Sequence, residues 1–233
     1  MATFDAQSGN VASNNTTVAA GHTIGAGANR LLLVGVTIGD VNNNGASVSG
    51  ITLGATALTP SISVLNDAVI DGIVVQEELW YLIAPASGLD TITVTLTAAA
   101  HVMFFSASFS DVDQTNPLGG VLVNTASNTN SITTNVTGTD ASSIVWDGTG
   151  IAEGTLPAGI TPGTGQTERG ELAVTGDPNG VRGNASTEAG GGTITMSQST
   201  AIVANFAQIA VEVRSPGAAG TGGAPSNRVM IGH

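Results

Sequence analysis

Along much of the chain, apolar side chains recur at every second position. In Thr91-Ile-Thr-Val-Thr-Leu-Thr97, Ile92, Val94 and Leu96 fall on one side and the threonines on the other. Successive strand residues point to opposite faces, so this pattern predicts a half-buried β-strand. Val203, Ala207, Ile209, Val211 and Val213 share one face of a long strand in the same way. Arg30 to Ile38 (RLLLVGVTI) is a continuous apolar run, which predicts a strand covered on both faces. Val74 to Ile83 and Val102 to Phe109 read as further core strands. Shorter candidates are Val48 to Leu53, Ile132 to Val136, Ser143 to Trp146 and Thr193 to Met196. Turn-forming clusters separate these runs, at Gly39 to Gly45, Asp113 to Pro117 and Gly176 to Gly180. No window joins good helix formers to 3.6-residue spacing and caps. The patterns predict an all-β, antiparallel β-sandwich or jelly roll.

The second half of the chain is rich in Gly, Thr and Ser and poor in large apolar residues. Alone it is expected to bury too little for a core, so its last long strand should draw a partner from the first half. Residues 1–214 are therefore read as a single β-sandwich domain. Residues 215–233 are read as a Gly/Pro/Ala-rich linker and C-terminal docking arm, flexible by composition. The arm carries Val229, Met230 and Ile231, the candidate residues for docking on a partner.

Charge narrows the function classes. Of the 233 residues, 9% are charged and the formal net charge is −12, so Thr, Ser, Asn and Gly must supply the solvated surface. The five basic residues are all arginines: Arg30, Arg169, Arg182, Arg214 and Arg228. A phosphate backbone is held by clustered Lys and Arg, so nucleic acid is not an expected partner. An anionic membrane surface would repel the chain, and no stretch approaches the ~18 consecutive apolar residues of a membrane helix. Met1 to Ala6 lacks the basic start and apolar core of a signal peptide. Without cysteine, disulfides and thiolate chemistry are excluded.

Few residues suggest chemistry. His22, His101 and His233 lack metal-ligand spacing. His101 reads as a structural residue opening a core strand. Glu77 and Glu78 are neighbours on a strand, so they point to opposite faces, and at least one is expected to reach solvent. No nucleophile elbow or phosphate loop occurs, no catalytic residue is assigned, and the chain is expected not to be an enzyme. Asp40, Asn42 and Asn44 match the first half of a calcium loop, D-x-[DN]-x-[DN]-G. Ile51 stands where the bidentate Glu would be, so an Asn-rich turn is the preferred reading and Ca2+ the alternative. Asp111 and Asp113 read as a solvated turn. Trp80 and Tyr81 sit on opposite faces of one strand. One is expected to pack in the core, and the other is a candidate platform for stacking a glycan.

Soluble β-proteins guard their sheet edges with Lys, Pro or other charges. Here such guards are scarce, which favours a homo-oligomer or a lattice component. Several segments also occur in a familiar order: Arg30 to Ile38, Ile51 to Thr59, Glu78 to Pro85, Thr91 to Leu96, Phe109 to Pro117 and Gly165-Gln-Thr-Glu-Arg169. Together, over residues 28 to 214, they resemble a jelly-roll-like β-sandwich module of bacterial secreted proteins and phage structural proteins. The resemblance implies a sandwich without catalytic residues. In the module an aromatic residue usually follows the Gln-Thr-Glu-Arg stretch, whereas Gly170 follows it here. The expected function is a non-enzymatic phage virion protein, a capsid decoration or tail accessory, with copies of itself and a major capsid or tail protein as partners. The alternative is an extracellular carbohydrate- or cell-surface-binding module.

Overall fold

The computed structural model describes residues 1–40, 44–70, 72–153, 159–174 and 180–217. Among them there is no helix, and the strands form two antiparallel sheets. The first sheet takes β1 (Thr3–Ile24), β2 (Leu31–Asp40), β3 (Val48–Leu53), β4 (Thr56–Ala57), β5 (Thr59–Ile70), β6 (Ile73–Ile83) and β7 (Gly88–Ser110). The second takes β8 (Leu118–Thr139), β9 (Ile144–Glu153), β10 (Ile160–Pro162), β11 (Thr167–Ala173), β12 (Gly180–Ala189) and β13 (Gly192–Val213). The expected all-β antiparallel sandwich is what the chain forms.

Long strands give each sheet its shape. The first limb of β7 pairs with β3 and the second with β2, while β1 runs along the other side of both limbs. The sheet folds back on itself where these strands bend. Asn14 takes the left-handed conformation at the bend of β1, at φ 47, a region that Asn tolerates better than most residues. Folding back closes a small core in which Val34, Val36, Trp80 and Phe104 meet Ile51, Leu53, Ile92 and Val94. The opposite face of β2, β6 and β7 carries Leu33, Val75, Phe105 and Phe109. It packs on Trp146, Val181, Ile209 and Val211 of the second sheet.

The second sheet repeats the first. Its order β11-β12-β9-β13, with β8 outside β13 and β10 beside it, matches β5-β6-β2-β7, with β1 and β3 in those places. Registers agree as well. Leu31 lies opposite Ile83 and Phe109, and Ile144 lies opposite Ala189 and Val213. The bend of β8 is at Asn128, again left-handed at φ 53. In β1 the Asn10 amide donates to the Ala19 carbonyl at 2.8 Å, and in β8 the Asn124 amide donates to the Thr133 carbonyl at 2.7 Å, each nine residues on. The sequence retains one clear echo, Thr91-Ile-Thr-Val and Thr193-Ile-Thr-Met. The halves face each other with β1 beside β11 and β5 beside β8, as the subunits of a two-fold dimer would.

Two glycines make this contact close. A Cβ at Gly35 would lie 2.4 Å from the Trp146 ring, and one at Gly39 would lie 2.1 Å from a Val181 methyl. The large side chains of the second half seat where the first half has none.

One expectation about strand pairing is overturned. β13 draws its ladder partners β8, β9 and β10 all from its own half, and it meets the first half only face to face. Two small clusters of its own, around Ile151 with Phe206 and around Val145 with Met196, flank buried polar groups in the second half, and its other face shares the central core.

Candidate functional site

The sequence-selected residues do not converge. Asp40 is buried, and its Oδ2 accepts from the amides of Gly45 (2.9 Å) and Ala46 (3.2 Å), which is the geometry of a side-chain-capped turn. Asn44 donates to the Ala99 carbonyl at 3.3 Å, while Asn42 lies outside the described residues. Among the described residues no three His, Asp or Glu side chains gather as a metal would require. Val229, Met230 and Ile231 also lie outside the described residues. Trp80 is 8% exposed, packed in the first small core with Nε1 donating to Glu78 Oε2 at 3.2 Å, so its face is closed to a glycan. Tyr81 is half-buried against the central core. His101 is enclosed within β7 rather than opening a strand, and its Nδ1 accepts from the Asn14 amide at 3.3 Å. Asp113 Oδ1 accepts from the Thr115 and Asn116 amides, as a turn residue does.

The glutamates correct a second expectation. Glu77 and Glu78 do point to opposite faces, but both are buried, because β6 is covered on both sides. Glu78 accepts from the Val48 amide, Gln76 and Trp80. Glu77 lies between the two halves. Thr37 Oγ1 donates to its Oε2 at 2.6 Å, and its Oε1 has no partner. Burial pushes its pKa up to about 8, and the nearby Asp147 and Glu78 carboxylates add to the rise.

Asp147 organises the second small core. Its Oδ1 accepts from the Ser186 amide at 3.1 Å and from the Ser186 hydroxyl. Its Oδ2 accepts from Gln208 at 2.8 Å and Gln198 at 3.0 Å. Thr134 donates to Gln208 Oε1 at 2.7 Å. Burial raises the Asp147 pKa, and these donors oppose the rise. At the equivalent positions of the first half stand Val34, Trp80 and Phe104, for Asp147, Ser186 and Gln208. One copy is thus closed by hydrophobes and the other by a hydrogen-bonded carboxylate.

A groove lies where β1 meets β11 and β12. It measures about 500 Å³ and is lined by Met1 to Phe4, Ser143, Ile144, Gly165, Thr167, Arg169 and Thr187 to Ala189. Arg169 sits over the Phe4 ring, 3.7 Å from its centroid, and its Nε donates to Thr187 Oγ1 at 2.7 Å. Phe4 is held in turn edge-on by Phe109. Arg182 pairs with Glu171, Arg214 with Glu212, and Arg30 donates to the Gly27 and Pro85 carbonyls. Arg169 makes no ion pair among the described residues, and partial burial lowers its pKa. Glu188 also lines the groove; its Oε2 is buried without a partner, and burial raises that pKa.

The Gln-Thr-Glu-Arg stretch builds this wall. Gln166 Oε1 accepts from the Gly163 and Ser197 amides, and its Nε2 donates to Ser186 Oγ at 2.6 Å. At Gly170, Phe105 and Gln7 of the first half occupy the space beside the backbone, 3.3 Å and 2.9 Å from where a Cβ would stand. Sequence reading missed the pairing of Arg169 with Phe4. The two residues lie in different halves, and only the Gln166-to-Arg169 segment signalled the place.

The fold defines a class, a duplicated antiparallel β-sandwich. No family model matches the sequence, no curated protein matches it, and no solved structure matches the fold.

Proposed function

We propose that the chain is a non-enzymatic structural protein of a phage virion, a capsid decoration or tail accessory that binds a protein lattice and copies of itself. The observation that carries this reading is β8. It is a 22-residue edge strand without a single charged residue, laddered to β13 alone, with Leu122 and Val123 exposed. Side-chain amides occupy its Ala126 and Thr133 carbonyls, but an edge with neither charge nor Pro is otherwise a template for another strand. The net charge of −12 restrains random association, so contacts are confined to neutral surfaces of this kind. The resembled sandwich module occurs in phage structural proteins as well as in bacterial secreted proteins, which is compatible with the virion. Glu77, Glu78 and Asp147 lie in enclosed cores rather than in a cleft, which supports a role without catalysis.

Multi-angle light scattering on the full chain tests self-association, and immunogold labelling of purified phage particles tests the virion. The expected result is concentration-dependent oligomers that revert to monomer in Leu122→Lys/Val123→Lys, together with labelled particles. A strictly monomeric wild-type chain and unlabelled particles would defeat the reading.

The second reading is an extracellular carbohydrate- or cell-surface-binding module. Trp80 gives it no support, and the Arg169 groove is the observation that favours it.

A further inference from the structure

We propose that the groove between β1 and β11–β12 binds a small sugar acid, a hydroxylated ring bearing one carboxylate. Arg169 is already fixed in orientation. Phe4 carries the flat face of the guanidinium, and Thr187 holds Nε. Its two terminal nitrogens, which make no hydrogen bond to the described residues, form a planar fork suited to both oxygens of a carboxylate. In a chain with 17 acidic and 5 basic residues, an arginine without an acidic partner is itself unusual.

The remaining lining sets the rest of the ligand. Glu188 also lines the groove, and its carboxylate accepts no hydrogen bond from the described residues; Oε2 is buried, so Oε1 is the oxygen a ligand hydroxyl would meet. Thr167 adds an exposed hydroxyl, those of Ser143 and Thr187 being buried and engaged with the Asp140 carbonyl and Arg169, and Phe4, Ile144 and Ala189 give an apolar wall for C–H faces. A volume of about 500 Å³ suits a monosaccharide-sized guest. Phosphate, with up to two negative charges, is matched less well than a carboxylate by a single arginine. A neutral sugar leaves the guanidinium without its anion.

The site does not depend on the assembly reading, since the groove lies on the β1–β11 side and the uncharged β8 edge beside β5. Isothermal titration and saturation-transfer NMR on the full chain test the proposal. Glucuronate, galacturonate and N-acetylneuraminate are the probes, with glucose, galactose, acetate and inorganic phosphate as comparisons. The expected result is binding of at least one sugar acid, with its neutral counterpart, acetate and phosphate all at least about 10-fold weaker. Arg169→Gln should weaken that binding about 10- to 100-fold, the range for a hydrogen-bonded charge. Thr167→Trp, at an exposed strand position, should block it by filling the groove. Far-UV circular dichroism checks that both variants fold. If Arg169→Gln does not fold, Thr167→Trp decides. The proposal fails if no sugar acid binds, if acetate or phosphate binds as well as the sugar acids, or if folded variants bind as the wild type does. Oligomerisation measured in parallel keeps failure here separate from failure of the assembly reading.

Discussion

Glu77 lies where the halves meet, with its carboxyl packed against Trp146 and Thr37 and one oxygen without a donor. Its pKa rises from 4.5 to about 8 on burial. Below about pH 4.5 the carboxyl is protonated in both folded and unfolded chains, and its contribution to stability is fully present. As pH climbs toward 8 the unfolded chain releases the proton while the folded chain retains it, so stability falls. At about 1.4 kcal/mol per pKa unit, the loss is on the order of 5 kcal/mol across that window. Glu77→Gln keeps the shape and removes the titration. Its Tm should therefore exceed that of the wild type at pH 8, with the gap closing near pH 5. Thermal melts at the two pH values check this, and parallel profiles would contradict it. Glu153, whose pKa burial lifts to about 7, acts in the same direction.

The elements show how far the sequence could be read. β2, β3 and β6 were legible because continuous or alternating apolar residues mark strands set in a core. β7 and β13 were each legible only as two separate runs, since the bend between their limbs interrupts the alternation. β1, β11 and β12 were not legible. β1 spends its alternation on Ser, Asn and Thr, and β12 fills buried positions with Gly, Asn, Ser and Thr, residues that ordinarily signal loops. The second small core was hidden for the same reason. Asp147, Gln198 and Gln208 are far apart in sequence and look like surface residues until the sheet folds back. The groove was legible only as the segment ending at Arg169. The edge strands also use an unexpected guard, an Asn amide that occupies a carbonyl nine residues on. Asn10→Ala and Asn124→Ala should each cost about 1 kcal/mol. Urea titration measures that loss, and hydrogen exchange should quicken near Asn14 and Asn128 respectively. Unchanged exchange at both bends would show that the amides do not hold them.

For the molecule as a whole, the decisive contact is that between the halves. Trp146 and Val181 enter spaces left by Gly35 and Gly39, where a Cβ would collide with them. Gly39→Ala puts a methyl against Val181 and should destabilise the fold by about 1–3 kcal/mol, as overpacking does. Because Trp146 lies in the same contact, its fluorescence should shift to the red in the variant before global unfolding. A wild-type melting curve with an unchanged emission maximum would show that the contact yields without strain.

A true homodimer must carry every change twice, once in each subunit. Covalent duplication frees the chain from that constraint. Arg169 stands over Phe4 on the β1–β11 side, whereas on the β5–β8 side the long strand β8 carries no charge, although the two sides are related by the same internal axis. Any neighbour that meets one side meets a chemistry the other side lacks. Copies of this chain built into an array would therefore have a head and a tail, and the array would have a direction.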